Sequence, residues 1–220
     1  MSETVQNGSQ SRMTPHQEVA ARLEEEIVTG VRFPRERLVE DELMARFGAK
    51  RHVVRRALQE LENLGLIART PNVGAHVKVY TAKQVVEIYE LRQLLEATCA
   101  KNIPLPVPRE ELDELIGIQR RHDAAADART LNEIVSTNLE FHHRLFNLSE
   151  NEILVDAIRR YAQLSYAIRS VTVTSPALVE QARSEHWEMI RALEHEDGDR
   201  LAEIAGAHLT PSRDAYLDRL

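Results

Sequence analysis

The sequence predicts a mainly α protein in two parts, an N-terminal winged helix-turn-helix followed by an all-α bundle of about six helices. Three observations predict it. Between Thr14 and Val79, three short apolar stripes precede two β-prone stretches joined by a turn. From 81 to 215 the spacing of apolar residues is helical, with no convincing strand. Charge is also divided, with a net of +1 over residues 1–80 and −8 over residues 81–220.

The first part reads from Thr14-Pro15-His16-Gln17. Thr14 is a good N-cap, Pro15 suits the first helical position and Gln17 can complete a capping box. Val19, Leu23 and Ile27 repeat every four residues, and Gly30 is a natural stop. A second helix is expected over about 39–47, ending at Gly48, and a third over about 50–64, ending at Gly65. Leu66-Ile67-Ala68-Arg69 and Ala75-His76-Val77-Lys78-Val79 read as strands around the turn Thr70–Gly74. The polar stretch 1–13 is expected to be a disordered leader, 14–80 the winged domain and 81–83 a short linker.

The second part, 84–215, opens with the stripe Val85, Ile88, Leu91 and Leu95, running to Ala97. The prolines at 104, 106 and 108 break the chain. Helices are then expected near 109–124, 131–147, 151–172, 177–196 and 199–215. Ser175-Pro176 gives a start signal and Gly198-Asp199 a stop followed by a new cap.

Composition bounds the function. No apolar run reaches the roughly 18 residues a membrane helix needs, and the first residues lack the apolar core of a secretory signal. Cys99 is the only cysteine, so no internal disulfide forms and a reducing cytoplasm is expected. The net charge of −7 argues against nucleic acid until its distribution is read. Arg46, Lys50, Arg51, Arg55 and Arg56 cluster, and no acid lies between Leu43 and Gln59. On the third helix Val54, Leu58 and Leu61 share the inward face. Arg51 stacks with Arg55, and His52 with Arg56, on the other. Such a face suits the major groove, where Arg pairs with guanine or grips phosphate. The hairpin tip from Asn72 to Gly74 is placed to reach the DNA backbone or the minor groove. Taken alone, a basic helix face is more often merely a solvated one; here it sits on the third helix of a helix-turn-helix with a wing, which favours DNA.

The run Leu38-Val39-Glu40-Asp41-Glu42-Leu43 through Gly48 and on to Leu61, then Gly65-Leu66-Ile67, resembles the GntR-family winged helix over about residues 14–79. The resemblance implies that Arg51 and Arg55 contact double-stranded operator DNA and that Gly74 is the wing glycine. Lys50 replaces the usual Ser or Thr, and Arg56 stands where an acid is common.

A second constellation lies in the helical part. Asn138 and His142 are four apart on one helix face, while His186 and His208 fall on the last two helices. Nitrogen and oxygen ligands converging in a bundle core would suit Zn²⁺, or another late divalent metal such as Ni²⁺. Spacing alone leaves open that these are ordinary surface or core histidines. The part from about 82 to 215 resembles the FCD ligand-binding domain of the FadR-type GntR branch, in a shorter variant. That resemblance implies that Asn138, His142, His186 and His208 hold the metal, with Asn138 in place of the usual Asp. In Tyr89–Glu96 it makes Arg92 a candidate to bind a carboxylate; the alternative is an Arg92–Glu96 surface pair.

The expected function is a DNA-binding transcriptional regulator, a repressor, acting as a homodimer. A small organic acid at the metal-containing pocket would control its operator affinity. Two other readings stay open: a metal-dependent hydrolase, and a DNA-binding dimer whose pocket is vestigial.

Overall fold

Thr14 opens the first helix as its side chains suggest. Gln17 Oε1 accepts from the Thr14 backbone N–H at 2.9 Å, and α1 runs Pro15–Val28. A computed structural model describes residues 13–70 and 73–220; the leader expected over 1–13 falls outside it but for Met13, as does the turn at 71–72. Val19, Leu23 and Ile27 are buried and face α3 (Arg51–Asn63), reached through α2 (Glu40–Phe47). Gly48, at φ +58°, ends α2 in the left-handed region that Gly adopts without strain. Val54, Ala57, Leu58 and Leu61 close the face of α3 that meets α1 and α2.

The wing is β2 (Ile67–Thr70) paired antiparallel with β3 (Gly74–Val77), Ile67 opposite Val77 and Thr70 opposite Gly74. A third strand, β1 (Arg37–Leu38), pairs with the far side of β3. It was not expected: two residues are too few for an alternating pattern to register.

The helical part holds α4 (Ala82–Lys101), α5 (Arg109–Ala128), α6 (Leu131–Phe146), α7 (Glu152–Leu164), α8 (Tyr166–Val173), α9 (Pro176–Glu194), α10 (Gly198–Ala207) and α11 (Thr210–Leu217). All six expected runs are helical, and two are split, which makes eight helices among the described residues of this part. At Ser165 the backbone N–H and the hydroxyl both donate to Ala162 O, at 3.1 and 2.7 Å, tightening the turn and starting α8 in a new direction. Between α10 and α11, Pro211 has no N–H to continue the ladder.

The winged part does not hang free. Thr81 caps α4 directly, accepting from Gln84 N–H, so the joint is only a residue or two long. Tyr80 Oη donates to Gly65 O at 3.0 Å, and the Tyr80 N–H donates to Tyr216 Oη at 3.2 Å; burial pushes the Tyr80 phenol up to about 12. One apolar core runs from α1, α3 and the wing into Val85 and Tyr89 of α4, Ile168 of α8, and Leu209 and Tyr216. A second core fills the bundle around Leu115, Phe141, Leu145, Met189 and Leu201.

Gly65 sits where these parts meet. Its φ is +73°, and an added Cβ would lie 2.7 Å from Leu164 Cδ2 and 3.0 Å from Tyr80 Oη. Gly65→Ala is therefore expected to destabilise the protein by about 1–3 kcal/mol through backbone strain and crowding. Chemical denaturation checks it, and an unchanged midpoint would mean that this contact yields freely.

Candidate functional site

Two places carry clustered polar chemistry: the outer face of α3 and an internal cavity of the helical part.

On α3 the structure brings the expected basic residues to one exposed face and shows what holds them. Arg51 donates to Asp41 at 2.7 Å, and Arg55 Nε to Glu40 at 2.9 Å, both acids lying in the first turn of α2. Lys50, His52 and Arg56 are exposed; Lys50 and Arg56 make no ion pair among the described residues. Arg46 differs. Its guanidinium pairs with Glu26 of α1 and lies 5.0 Å from the Phe47 ring centroid, tying α2 to α1. Gly74 is exposed at φ +88°, and Asn72 lies outside the described residues. Arg37, on the unexpected strand, lies beside Gly74 and adds an exposed cation at the wing.

The cavity, of about 80 Å³, is lined among others by Arg92, His122, Asn138, His142, Arg169 and His208. One water-sized group needs roughly 10–15 Å³ on this measure, so it suits a compact ligand of a few heavy atoms. His142 of α6, His186 of α9 and His208, just past α10, converge as expected, their donor nitrogens all within 4.8 Å of one another. His142 Nε2 lies 3.1 Å from His208 Nε2 and 3.3 Å from His186 Nε2.

Their partners fix which nitrogens are bare. Gln119 Nε2 donates to Asp123, which leaves Gln119 Oε1, 2.9 Å away, to accept from His186 Nδ1–H. Glu185 Oε2 accepts from His208 Nδ1–H at 2.6 Å. Both rings therefore turn a lone pair at Nε2 toward His142. Phe141 stacks on His186 with centroids 4.1 Å apart and fixes its plane. Burial first, then the neighbouring histidines, holds His142 and His186 well below the usual imidazole pKa, so both are neutral. Burial alone would raise the Glu185 carboxyl, but its hydrogen bonds to His208 and Gln181 bring it below the usual value.

Bare lone pairs facing one another at about 3 Å are unfavourable unless a cation or a proton lies between them. Three imidazoles, two of them oriented by acceptors behind, are a donor set for a late divalent metal. The two measured edges match the roughly 3.3 Å edge of a tetrahedron with bonds of about 2.0–2.1 Å. Asn138 lines the same cavity, one turn before His142.

Arg92 is at the cavity, but not as a surface pair. Its Nε and Nη2 both donate to Glu96 at 2.8 Å and Nη1 donates to Ser165 Oγ at 2.8 Å; the Arg92 and Glu96 side chains are 4% and 2% exposed. The pair is buried and two guanidinium N–H groups remain unspent. Arg169 was missed by sequence reasoning. It lines the cavity from α8, lies 5.5 Å from the Tyr166 ring centroid and makes no ion pair among the described residues. Burial, then Arg92, pulls its pKa down; the acid it feels, Glu96, is already held by Arg92. Gln119 and Glu185 were missed too. No spacing rule marks a residue that acts only by touching another helix.

Comparison with known proteins identifies the two parts of the chain. Residues 15–77 match the family described as bacterial regulatory proteins, gntR family, and residues 87–211 match the FCD domain. The chain is 27% identical over 185 residues to the Nta operon transcriptional regulator of Aminobacter aminovorans, covering 84% of this chain and 86% of that protein. It is 23% identical over 194 residues to the HTH-type transcriptional repressor RspR of Escherichia coli, covering 88% and 85%. Among solved structures, E. coli McbR/YncC aligns with a TM-score of 0.79 at 18% identity, over 94% of this chain and 99% of that one. A GntR regulator from Rhodococcus sp. RHA1 aligns at 0.78 and 20%, over 94% and 100%. Both likenesses concern the fold.

The imidazole cluster predicts a pH response of the metal-free protein. Folded, His142 and His186 resist protonation; unfolded, they titrate near the ordinary value of 6.5. Below that pH the unfolded chain binds more protons, so stability present above it is lost as pH falls. The melting temperature of chelator-treated protein is expected to drop between about pH 7 and 5. A flat profile would show that these rings protonate freely in the folded chain.

Proposed function

The chain belongs to the GntR family of bacterial regulatory proteins and carries an FCD domain, so it is a transcriptional regulator and not an enzyme, and from that premise we propose how it works. Residues 14–80 bind operator DNA, 81–83 join the parts, and 84–215 bind the effector and dimerise. Arg51 and Arg55 read the operator from α3, with Lys50, His52, Arg56 and the wing at Asn72 and Gly74 on the backbone; Arg46 acts by holding α2. A homodimer presents two such helices to half-sites about one helical turn apart. The name of RspR supports a repressor.

In the cavity, His142, His186 and His208 hold a divalent metal, Zn²⁺ by its preference for imidazole nitrogen, with Ni²⁺ the next best fit. Asn138 adds a neutral oxygen on the same face. Bound there, the metal supplies a positive centre that attracts an anion. Arg169 carries the reading furthest: a half-buried cation with no ion pair among the described residues, beside a cluster that can hold a metal, calls for an anionic ligand. A small carboxylate meets Arg169 and the free N–H groups of Arg92. This favours a working pocket over a vestigial one, in which such a charge would go uncompensated.

The route to DNA is short. Val28, at the end of α1, lines the cavity, and α8 supplies both Arg169 to the cavity and Ile168 to the core shared with α1 and α3. A ligand that draws Arg169 inward moves the helix on which the winged part rests. Operator affinity changes if the ligand prefers one of the two placements.

Melting temperature is to be measured against small carboxylates, with and without a strong chelator. At least one acid is expected to stabilise the protein by mass action, the chelator to erase the shift, and Arg169→Leu to weaken it. If no acid shifts the midpoint and the chelator changes nothing, the pocket reading fails. Separately, Arg51→Ala and Arg55→Ala should each weaken operator binding by roughly 10–100-fold with the fold intact. Unchanged affinity in both would remove α3 as the reading helix.

A further inference from the structure

Asp123, on α5, stands two hydrogen bonds away from the imidazole cluster and collects three donors from two helices. Gln119, one turn earlier on α5, donates from Nε2 to its Oδ1 at 2.8 Å. From α9, Arg183 Nε donates to the same oxygen at 2.9 Å, and Trp187 Nε1 donates to Oδ2 at 3.1 Å. The Asp123 side chain is 18% exposed, and Gln119 is fully buried.

A carboxylate with donors on both oxygens only accepts, whereas a primary amide has one donating end and one accepting end. Facing Asp123, Gln119 must turn its nitrogen that way. Its Oε1 is the end left for His186 Nδ1, 2.9 Å away. An oxygen there calls for a hydrogen on Nδ1, so His186 Nε2 keeps a lone pair toward His142 Nε2, at 3.3 Å. With the amide reversed, its oxygen would meet the carboxylate and its NH2 would meet Nδ1. The ring hydrogen would then sit on Nε2, and such a ring offers the cluster no lone pair. Burial denies Gln119 the water that could satisfy either end. Arg183 and Trp187 in turn hold the carboxylate from α9, the helix that carries His186.

We propose that Asp123 is a positioning residue for the metal cluster: it fixes the direction of the Gln119 amide, the amide fixes the tautomer of His186, and affinity for a divalent cation is thereby set by a carboxylate that is not one of the clustered ligands. The consequence for affinity rests on the metal reading above; the tautomer does not. His208 has a carboxylate, Glu185, directly behind it, and His186 has the same influence relayed through an amide. The competing account is an ion pair with Arg183 that only ties α5 to α9.

Nitrogen-15 spectra of the full-length, metal-free protein labelled at histidine read the tautomer, at about pH 8, above the ordinary imidazole value. Wild-type His186 is expected to carry its hydrogen on Nδ1. In Asp123→Ala the amide loses its fixed direction, and a population with the hydrogen on Nε2 is expected. Affinity for Zn²⁺ alone, read by competition with a chelating dye, should fall about tenfold or more in that variant. In the double variant Gln119→Glu/Asp123→Asn the carboxylate stands one bond closer to the ring and can only accept. The Nδ1 hydrogen and most of the affinity should then return, a rescue that an ion pair tying two helices would not show.

A wild-type His186 with its hydrogen on Nε2 would overturn the proposal. So would an Asp123→Ala protein that keeps the hydrogen on Nδ1, because any loss of Zn²⁺ would then come from the scaffold. A double variant that behaves like Asp123→Ala overturns it as well. If Zn²⁺ binds to no form, wild type included, the metal reading fails and the part about affinity with it, while the spectra still decide whether Asp123 positions His186. Should Asp123→Ala not fold, Asp123→Asn, which keeps the shape but can donate, takes its place with the same expectations.

Discussion

Neutral imidazoles aimed at one another in a closed space are the constraint around which the helical part is arranged. Their facing nitrogens lie 3.1 and 3.3 Å apart, a spacing that calls for a proton or a cation between them. The arrangement persists because each flanking ring is held by an acceptor behind it, Gln119 for His186 and Glu185 for His208. Those acceptors come from α5 and α9, and the rings from α6, α9 and the end of α10. Four helices are thereby registered against one another by polar contacts, while Phe141 stacking on His186 joins the cluster to the apolar core. A shift of any one helix would misdirect a lone pair, and this is why the cavity beside the cluster has a definite shape.

The DNA-facing side follows a looser logic. Arg51 and Arg55 are exposed and engaged by Glu40 and Asp41, pairs that solvent screens and that contribute little to stability. Their consequence is positional. The acids hold the guanidinium groups over the face of α3, and in the proposed complex they would yield to phosphate or guanine, which offer bidentate partners in a denser negative field. Arg46 shows the other use of the same side chain. Paired with the largely buried Glu26, it fastens α2 to α1 and so fixes the angle at which α3 is presented.

Much of this was legible in the sequence because helix periodicity reports which residues share a face. The stripes Val19-Leu23-Ile27 and Val54-Leu58-Leu61 placed the first core, and the four-residue step from Asn138 to His142 placed two cavity groups on one side of α6. Periodicity says nothing about what lies opposite. Arg169 follows Ile168 in a short helix and reads as a surface arginine until α8 is seen packed against α1, α9 and α11 with Arg169 on the cavity wall. His122 sits among Arg120, Arg121 and Asp123, a context that reads as solvated, yet it is buried. Gln119 and Glu185 matter only through a ring on another helix. Arg92–Glu96 was visible as a pair, but its burial was not. The two extra helix breaks differ in the same way: Pro211 announces one, whereas Ser165 breaks α7 from α8 by a hydroxyl back-bond that serine makes in one conformation and not in others.

Continuity between the cavity and the winged part bears on how a signal can travel. A linker of one or two residues, a tyrosine bonded to both sides of it, and a core running from Leu61 to Ile168 leave little room for the winged part to move independently. Transmission therefore does not need a long chain of displacements. α8 is eight residues long, begins at the Ser165 break and carries Arg169 on the cavity side with Ile168 on the core side. Such a helix pivots more readily than the 20-residue α4, because its ends are already interrupted and fewer backbone hydrogen bonds oppose the motion. The charge on Arg169 is its handle. Uncompensated, it repels Arg92; the anion proposed above would draw the two together. The two states differ in the sign of one electrostatic term acting on a short helix that touches α1, and a difference of that kind is what coupling between effector and operator requires.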